Sequence, residues 1–150
     1  MSSQLYSDAI LATAKARRGH GRLDHPDGTA TCDNPLCGDR VTVDLRLAGS
    51  DVAEIGQVTR GCVLTQAAAA VLAEHLHDVP AGELAAAAEE VGRLLAGEEF
   101  MPRWPELAMF APVHGVRSRH ECVLLPFEAA AAALAAAGAC REQAEGRSER

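Results

Sequence analysis

Apolar and polar residues alternate cleanly over Arg40–Leu47. Val41, Val43, Leu45 and Leu47 point one way, and Arg40, Thr42, Asp44 and Arg46 the other. A period of two places neighbours on opposite faces, so this stretch predicts a half-buried β-strand. Ala48-Gly49-Ser50-Asp51 reads as a turn, and Val52–Thr59 as a second strand with Ala53, Ile55 and Val58 apolar. The alternation breaks at Gly56, which predicts a bulge there. The two strands make a hairpin. From Cys62 to His77 the period becomes helical, with Leu64, Ala68, Val71, Leu72 and Leu76 on one side and Pro80 as the stop.

Upstream, residues 4–18 carry an apolar stripe of Leu5, Ile10, Leu11 and Ala14, with Ser2 or Ser3 as cap. Gly19–Thr31 is rich in Gly, Pro, Asp and His and reads as a loop. Downstream, Gly82–Leu95 predicts a helix stopped by Gly97, and prolines 102, 105 and 112 break up the segment around Trp104–Phe110. Cys122–Ala137 predicts a last long helix, which tolerates Pro126 in its first turn. Residues 1–140 then form one domain, and the charged residues 141–150 an unstructured tail. The predicted fold class is α+β: a small antiparallel sheet with helices packed on one face.

Composition narrows the function. Hydrophobic residues make up 48% and aromatics 3%, so the core is aliphatic and alanine-rich. A net charge of −7 argues against the broad basic face a nucleic acid needs. The basic cluster Lys15, Arg17, Arg18 and Arg22 reads as a solvated helix end, or else as a docking patch for an acidic partner. No segment reaches the roughly 18 uncharged apolar residues of a membrane span. Met1–Ile10 lacks the pattern of a signal peptide. A cytoplasmic, reducing setting follows, where thiols serve metals or catalysis more often than disulfides.

Of five cysteines, three share a setting. Cys37 lies in the turn Asn34-Pro35-Leu36-Cys37-Gly38-Asp39 before the first strand, Cys62 follows Gly61 where the second strand meets a helix, and Cys122 opens the last helix. A helix N-terminus lowers a thiol's pKa, and the thiolate is the form that binds metal or attacks sulfur. Asp39 stands two residues from Cys37 across a glycine that permits a tight turn. Three thiolates and one carboxylate complete a tetrahedral site for zinc or hold an iron–sulfur cluster. Cys140 reads as an inert small hydrophobe and Cys32 as a bystander. No Cys-x-x-Cys pair is present to indicate a zinc ribbon or finger.

These residues resemble a known family. Asn34-Pro35-Leu36-Cys37-Gly38-Asp39 is similar to the N-P-x-C-G-D segment of U-type iron–sulfur scaffold proteins (IscU, SufU and the N-terminal domain of NifU). Gly61-Cys62 before an alanine-rich helix resembles that family's second cysteine, and Arg119-His120-Glu121-Cys122 its third. The resemblance covers about residues 5–137, and the long stretch between Cys62 and Cys122 is more like the SufU branch. It implies that Cys37, Asp39, Cys62 and Cys122 ligate zinc or a 2Fe–2S cluster and that Cys37 is the sulfur acceptor. It further implies that Arg119 steadies anionic sulfur beside the site. The implied partners are a SufS-like cysteine desulfurase and downstream apo-protein acceptors. Two departures stand out. Arg17-Arg18-Gly19-His20 replaces an Asn-Pro-Arg-Asn-like segment, and Glu121 stands where the branches carry Lys or His.

The histidines add less. His75 and His77 sit at a helix end where they can meet the last carbonyls, His25 and His114 lie in loops, and His120 reads as a surface residue. Three functions compete. The first is a cluster scaffold or zinc-dependent sulfur relay, the second a structural zinc module without sulfur transfer. The third is a thiol hydrolase with Cys37 or Cys122 as nucleophile and His120 as base, for which no oxyanion-hole motif is present.

Overall fold

The computed structural model describes residues 7–148, with side chains through Gly138. Four antiparallel strands form one sheet in sequential order. They are β1 (Gly28–Asn34), β2 (Asp39–Ala48), β3 (Asp51–Arg60) and the short β4 (Val79–Pro80). The helices are α1 (Asp8–Ala16), α2 (Val63–His75), α3 (Gly82–Leu95) and α4 (His120–Ser148), with 3-10 turns over Pro105–Gly115 and Arg117–Arg119. This is the α+β arrangement expected, with one strand more at each edge.

The core lies between one sheet face and the helices. Val41, Val43 and Leu45 are fully buried there, as the alternation of β2 requires. Helix α2 is buried almost all round rather than along one stripe, because Leu64, Thr65 and Ala67 to Ala73 all lose solvent. It is the central helix, packed by α1 and α4 on either side. Its alanines permit that close approach. It ends at His75, and Pro80 lies in an edge strand, where a missing N–H costs no ladder bond.

Several expectations are corrected. β1 runs through part of the segment read as a loop. Its side chains are small or polar, Gly28-Thr29-Ala30-Thr31, so no apolar alternation marked it. A Cβ on Gly28 would stand 2.1 Å from the Ala133 carbonyl oxygen, so only glycine lets α4 lie this close to the strand. The bulge falls between Arg46 and Leu47, whereas Gly56 sits in register opposite Asp44. Gly56 instead makes room for a crossing segment, its absent Cβ being 2.6 Å from the Gly21 carbonyl oxygen. Asp44, expected to face water, is 1% exposed beneath that segment. The α1 cap is Ser7, whose Oγ accepts from the Ile10 N–H, and Leu11 is 44% exposed rather than part of the buried stripe. Ser2, Ser3 and Leu5 lie outside the described residues.

Helix α4 starts two residues before Cys122 and continues past Ala137 to Ser148, into the stretch read as a tail. Pro126 therefore falls in its second turn rather than its first. The side chain of Cys140 lies outside the described residues. By length and composition Arg117–Gly138 passes for a membrane span, against expectation, yet half of that window is buried inside the fold. That burial, against β1, β2 and α2, is what makes it a core helix here.

Candidate metal centre

The β1–β2 turn is tightly built. Asn34 Oδ1 accepts from the Leu36 N–H at 3.1 Å, and the Asn34 carbonyl accepts from the Gly38 N–H at 2.8 Å. Gly38 has φ +76, a left-handed conformation that favours glycine. Cys37 is thereby exposed at the turn, while Asp39, the first residue of β2, is 4% exposed. Arg40 opposes Arg60 in the ladder, so the end of β3 lies beside this turn. Cys62 is the N-cap of α2, and Cys122 lies in the first turn of α4, 1% exposed.

Three segments far apart in sequence thus meet at one end of the sheet. The ligand atoms of Cys37, Asp39 and Cys122 lie within 4.8 Å of one another. Cys62, the fourth candidate, stands outside that group but close enough to Cys122 to raise its pKa. Cys62 Sγ is also 3.6 Å from Thr65 Oγ1, and Thr65 Oγ1 donates to Asp39 Oδ2 at 2.7 Å. A Cβ on Gly61 would stand 2.8 Å from Asp39 Cγ, so that glycine walls the carboxylate without displacing it.

The electrostatics correct one expectation. Burial first, then the neighbouring Cys62 thiol, pushes the Cys122 thiol up to about 12; a hydrogen bond from Arg119 pulls the other way. The helix N-terminus does not outweigh desolvation here. Metal binding at Cys122 exchanges a proton for a cation. The donor set suits that exchange: soft sulfurs with one carboxylate are the ligands of zinc or of an iron–sulfur cluster, and they already converge.

The remaining candidates stand elsewhere. Cys32 is half-buried on β1, and burial, then Glu128 and Asp33, raises its pKa. His120 Nε2 lies 3.0 Å from the Val113 carbonyl oxygen and 3.1 Å from that of His114. Glu121 is exposed. His75 does not meet the helix carbonyls: its Nε2 lies 2.7 Å from Glu106 Oε2, and its ring stacks on Trp104 at 4.7 Å. His114 Nδ1 lies 3.2 Å from the Leu95 carbonyl oxygen. The basic cluster is partly neutralised, Arg18 by Glu74 at 2.8 Å and Arg22 by Asp44 at 2.7 Å. Sequence reasoning missed Thr65. Its one signal was a hydroxyl three residues into a helix, on the same side as Cys62.

Comparison with known proteins bears on the same residues. The family described as the NifU-like N terminal domain matches residues 5–101, a stretch that holds Cys37, Asp39 and Cys62 and stops before Cys122. The iron–sulfur cluster assembly scaffold protein IscU of Thermotoga maritima is 26% identical over 131 residues, 87% of this chain and 92% of that protein. Among solved structures, a nitrogen-fixing NifU-like protein (N-terminal) from Brucella abortus superposes with a TM-score of 0.86 at 31% identity, covering 91% of this chain and 96% of that one. The putative iron–sulfur cluster assembly scaffold protein for the SUF system from Fervidobacterium islandicum AW-1 shares the fold, with a TM-score of 0.82 at 24% identity over 89% of this chain and 99% of that one.

Proposed function

The chain belongs to the NifU-like N-terminal domain family, and on that premise we propose that it is an iron–sulfur cluster assembly scaffold whose cargo is held by Cys37, Asp39, Cys62 and Cys122. The observation that carries this reading is the convergence of three ligand atoms, of Cys37, Asp39 and Cys122, within 4.8 Å, with Cys62 beside them. A buried thiol and an exposed one in the same group divide the work. Cys122 anchors from inside, and Cys37 is the sulfur that a partner reaches.

Sulfur arrives, in this reading, from a cysteine desulfurase of the SufS type. The Cys37 thiolate attacks the terminal sulfur of the donor's persulfide. A Cys37 S–S bond forms as the donor's S–S bond breaks, and the donor leaves as a thiolate, with no net oxidation. Arg119, already bonded to Cys122, supplies positive charge beside these anions. Apo-proteins are the downstream acceptors, and a reducing cytoplasm suits the free thiols.

The exposure of Cys37 also favours a zinc-dependent relay, in which zinc holds the other ligands while Cys37 carries sulfur. Anaerobic purification with metal and acid-labile sulfide analysis separates the two. Iron with equimolar sulfide supports the scaffold, and about one zinc per chain without sulfide supports the relay. Zinc that stays while Cys37 takes no persulfide from desulfurase and cysteine leaves a structural zinc module. Protein that takes up neither metal nor cluster overturns the proposal.

A further inference from the structure

Thr65 is fully buried in the first turn of α2, where Gly61, four residues back, lies outside the helix. The Gly61 carbonyl accepts from Gln66 Nε2 at 2.9 Å. The Thr65 hydroxyl donates to Asp39 Oδ2 at 2.7 Å, across from α2 to β2. A hydroxyl has one proton and two lone pairs. With the proton on Asp39, the contact at 3.6 Å leaves Cys62 Sγ–H as donor to Thr65. One buried side chain therefore touches two candidate ligands from different elements, and a Cβ on Gly61 would stand 2.9 Å from Asp39 Oδ1.

We propose that Thr65 is a positioning residue of the metal centre: it holds Asp39 Oδ2 away from the ion so that Oδ1 alone ligates. The inference rests on the metal-centre reading above. Outer partners that orient ligating groups in this way typically carry about a 10–100-fold effect on metal affinity. A carboxylate released from Thr65 can turn to offer both oxygens, and the site then departs from a four-coordinate geometry.

The test is cobalt(II) titration of the whole chain, read by the d–d absorption that reports coordination, with unfolding of each metal-free variant followed in parallel. Thr65→Val and Thr65→Ala both remove the hydroxyl, one keeping the volume and the other not. Both are expected to bind cobalt about tenfold or more weakly, with a weaker and shifted band, and Thr65→Ser to match the wild type. Should Thr65→Val fail to fold, Thr65→Ala against Thr65→Ser decides. Affinity and band unchanged in the variants lacking the hydroxyl, or equally lost in Thr65→Ser, overturn the role of Thr65 alone. Wild-type chain that takes no cobalt overturns both this role and the metal centre beneath it.

Discussion

Two carboxylates of the same strand, Asp39 and Asp44, are both buried, at 4% and 1% exposure, and both meet a threonine hydroxyl, yet their surroundings differ. Asp44 is saturated with donors. Arg22 reaches it through Nε at 2.7 Å and Nη2 at 3.1 Å, the Leu23 N–H at 3.0 Å and Thr29 Oγ1 at 2.6 Å. Burial works against its charge, but the bonds from Arg22, Thr29 and Leu23 outweigh it and hold the carboxyl below its usual range. Asp39 meets Thr65 on Oδ2, with the thiols of Cys37 and Cys122 gathered beside it. One carboxylate is a structural staple whose lone pairs are all engaged; the other keeps capacity turned toward sulfur. Burial alone does not tell them apart, whereas the partners do.

The sharpest division between the two regions is in metal binding. Replacing Cys122 by Ala is expected to weaken metal affinity roughly thousandfold, measured by competition with a chelator, while Asp44→Ala leaves affinity within about twofold. Metal lost equally from both variants breaks the contrast. On the stability side, Asp44→Ala is expected to cost about 3 kcal/mol, because it removes four bonds to a buried carboxylate and leaves the Leu23 N–H and the Thr29 hydroxyl without their acceptor. In a domain of this size that lowers the unfolding midpoint by roughly 10 °C, as calorimetry of the metal-free protein reads. An unaltered midpoint contradicts the staple.

Acid tests the same carboxylate more gently. The folded Asp44 carboxyl titrates below the unfolded one, which lies near pH 4 (about 3.9). Its contribution is therefore complete above about pH 4 and is lost as pH falls through the lower folded value. Asp44→Asn is expected to flatten that part of the stability–pH curve, followed by urea unfolding; an unchanged curve removes Asp44 from the account. The smallest effect belongs to Asp39→Asn in metal-free protein, where the change is expected to stay under about 1 kcal/mol. A loss matching that of Asp44→Ala makes Asp39 a staple too.

Of the proposed ligands, Cys37 and Cys62 were legible in the sequence because each sits beside a glycine at a break in period, Cys37 before Gly38 and Cys62 after Gly61, whereas Cys122 has no such mark. Local chain geometry is what such breaks report. β2 and α3 were likewise visible, since their apolar period matches the face they bury, whereas β3 buries Val52, Ile55, Gly56 and Gln57 rather than the Ala53, Ile55 and Val58 read as its apolar set. What stayed hidden depends on contacts across the fold. β1 buries a glycine backbone against α4 rather than a row of apolar side chains. Asp44 looked solvent-facing, and only the crossing of Gly21 and Leu23 over Gly56 covers it. The raised thiol of Cys122 follows from burial and from Cys62, neither of which its own helix position discloses. Thr65 matters because the fold brings Asp39 of β2 within 2.7 Å of its hydroxyl.

X-ray absorption at the metal edge, on zinc-loaded protein carrying Cys32→Ala and Cys140→Ala, tests the convergence most directly. Three sulfurs at about 2.3 Å and one oxygen at about 2.0 Å around each zinc are the expected first shell. A shell with fewer than three sulfurs, or one completed by histidine nitrogen, contradicts a single centre built from Cys37, Asp39, Cys62 and Cys122.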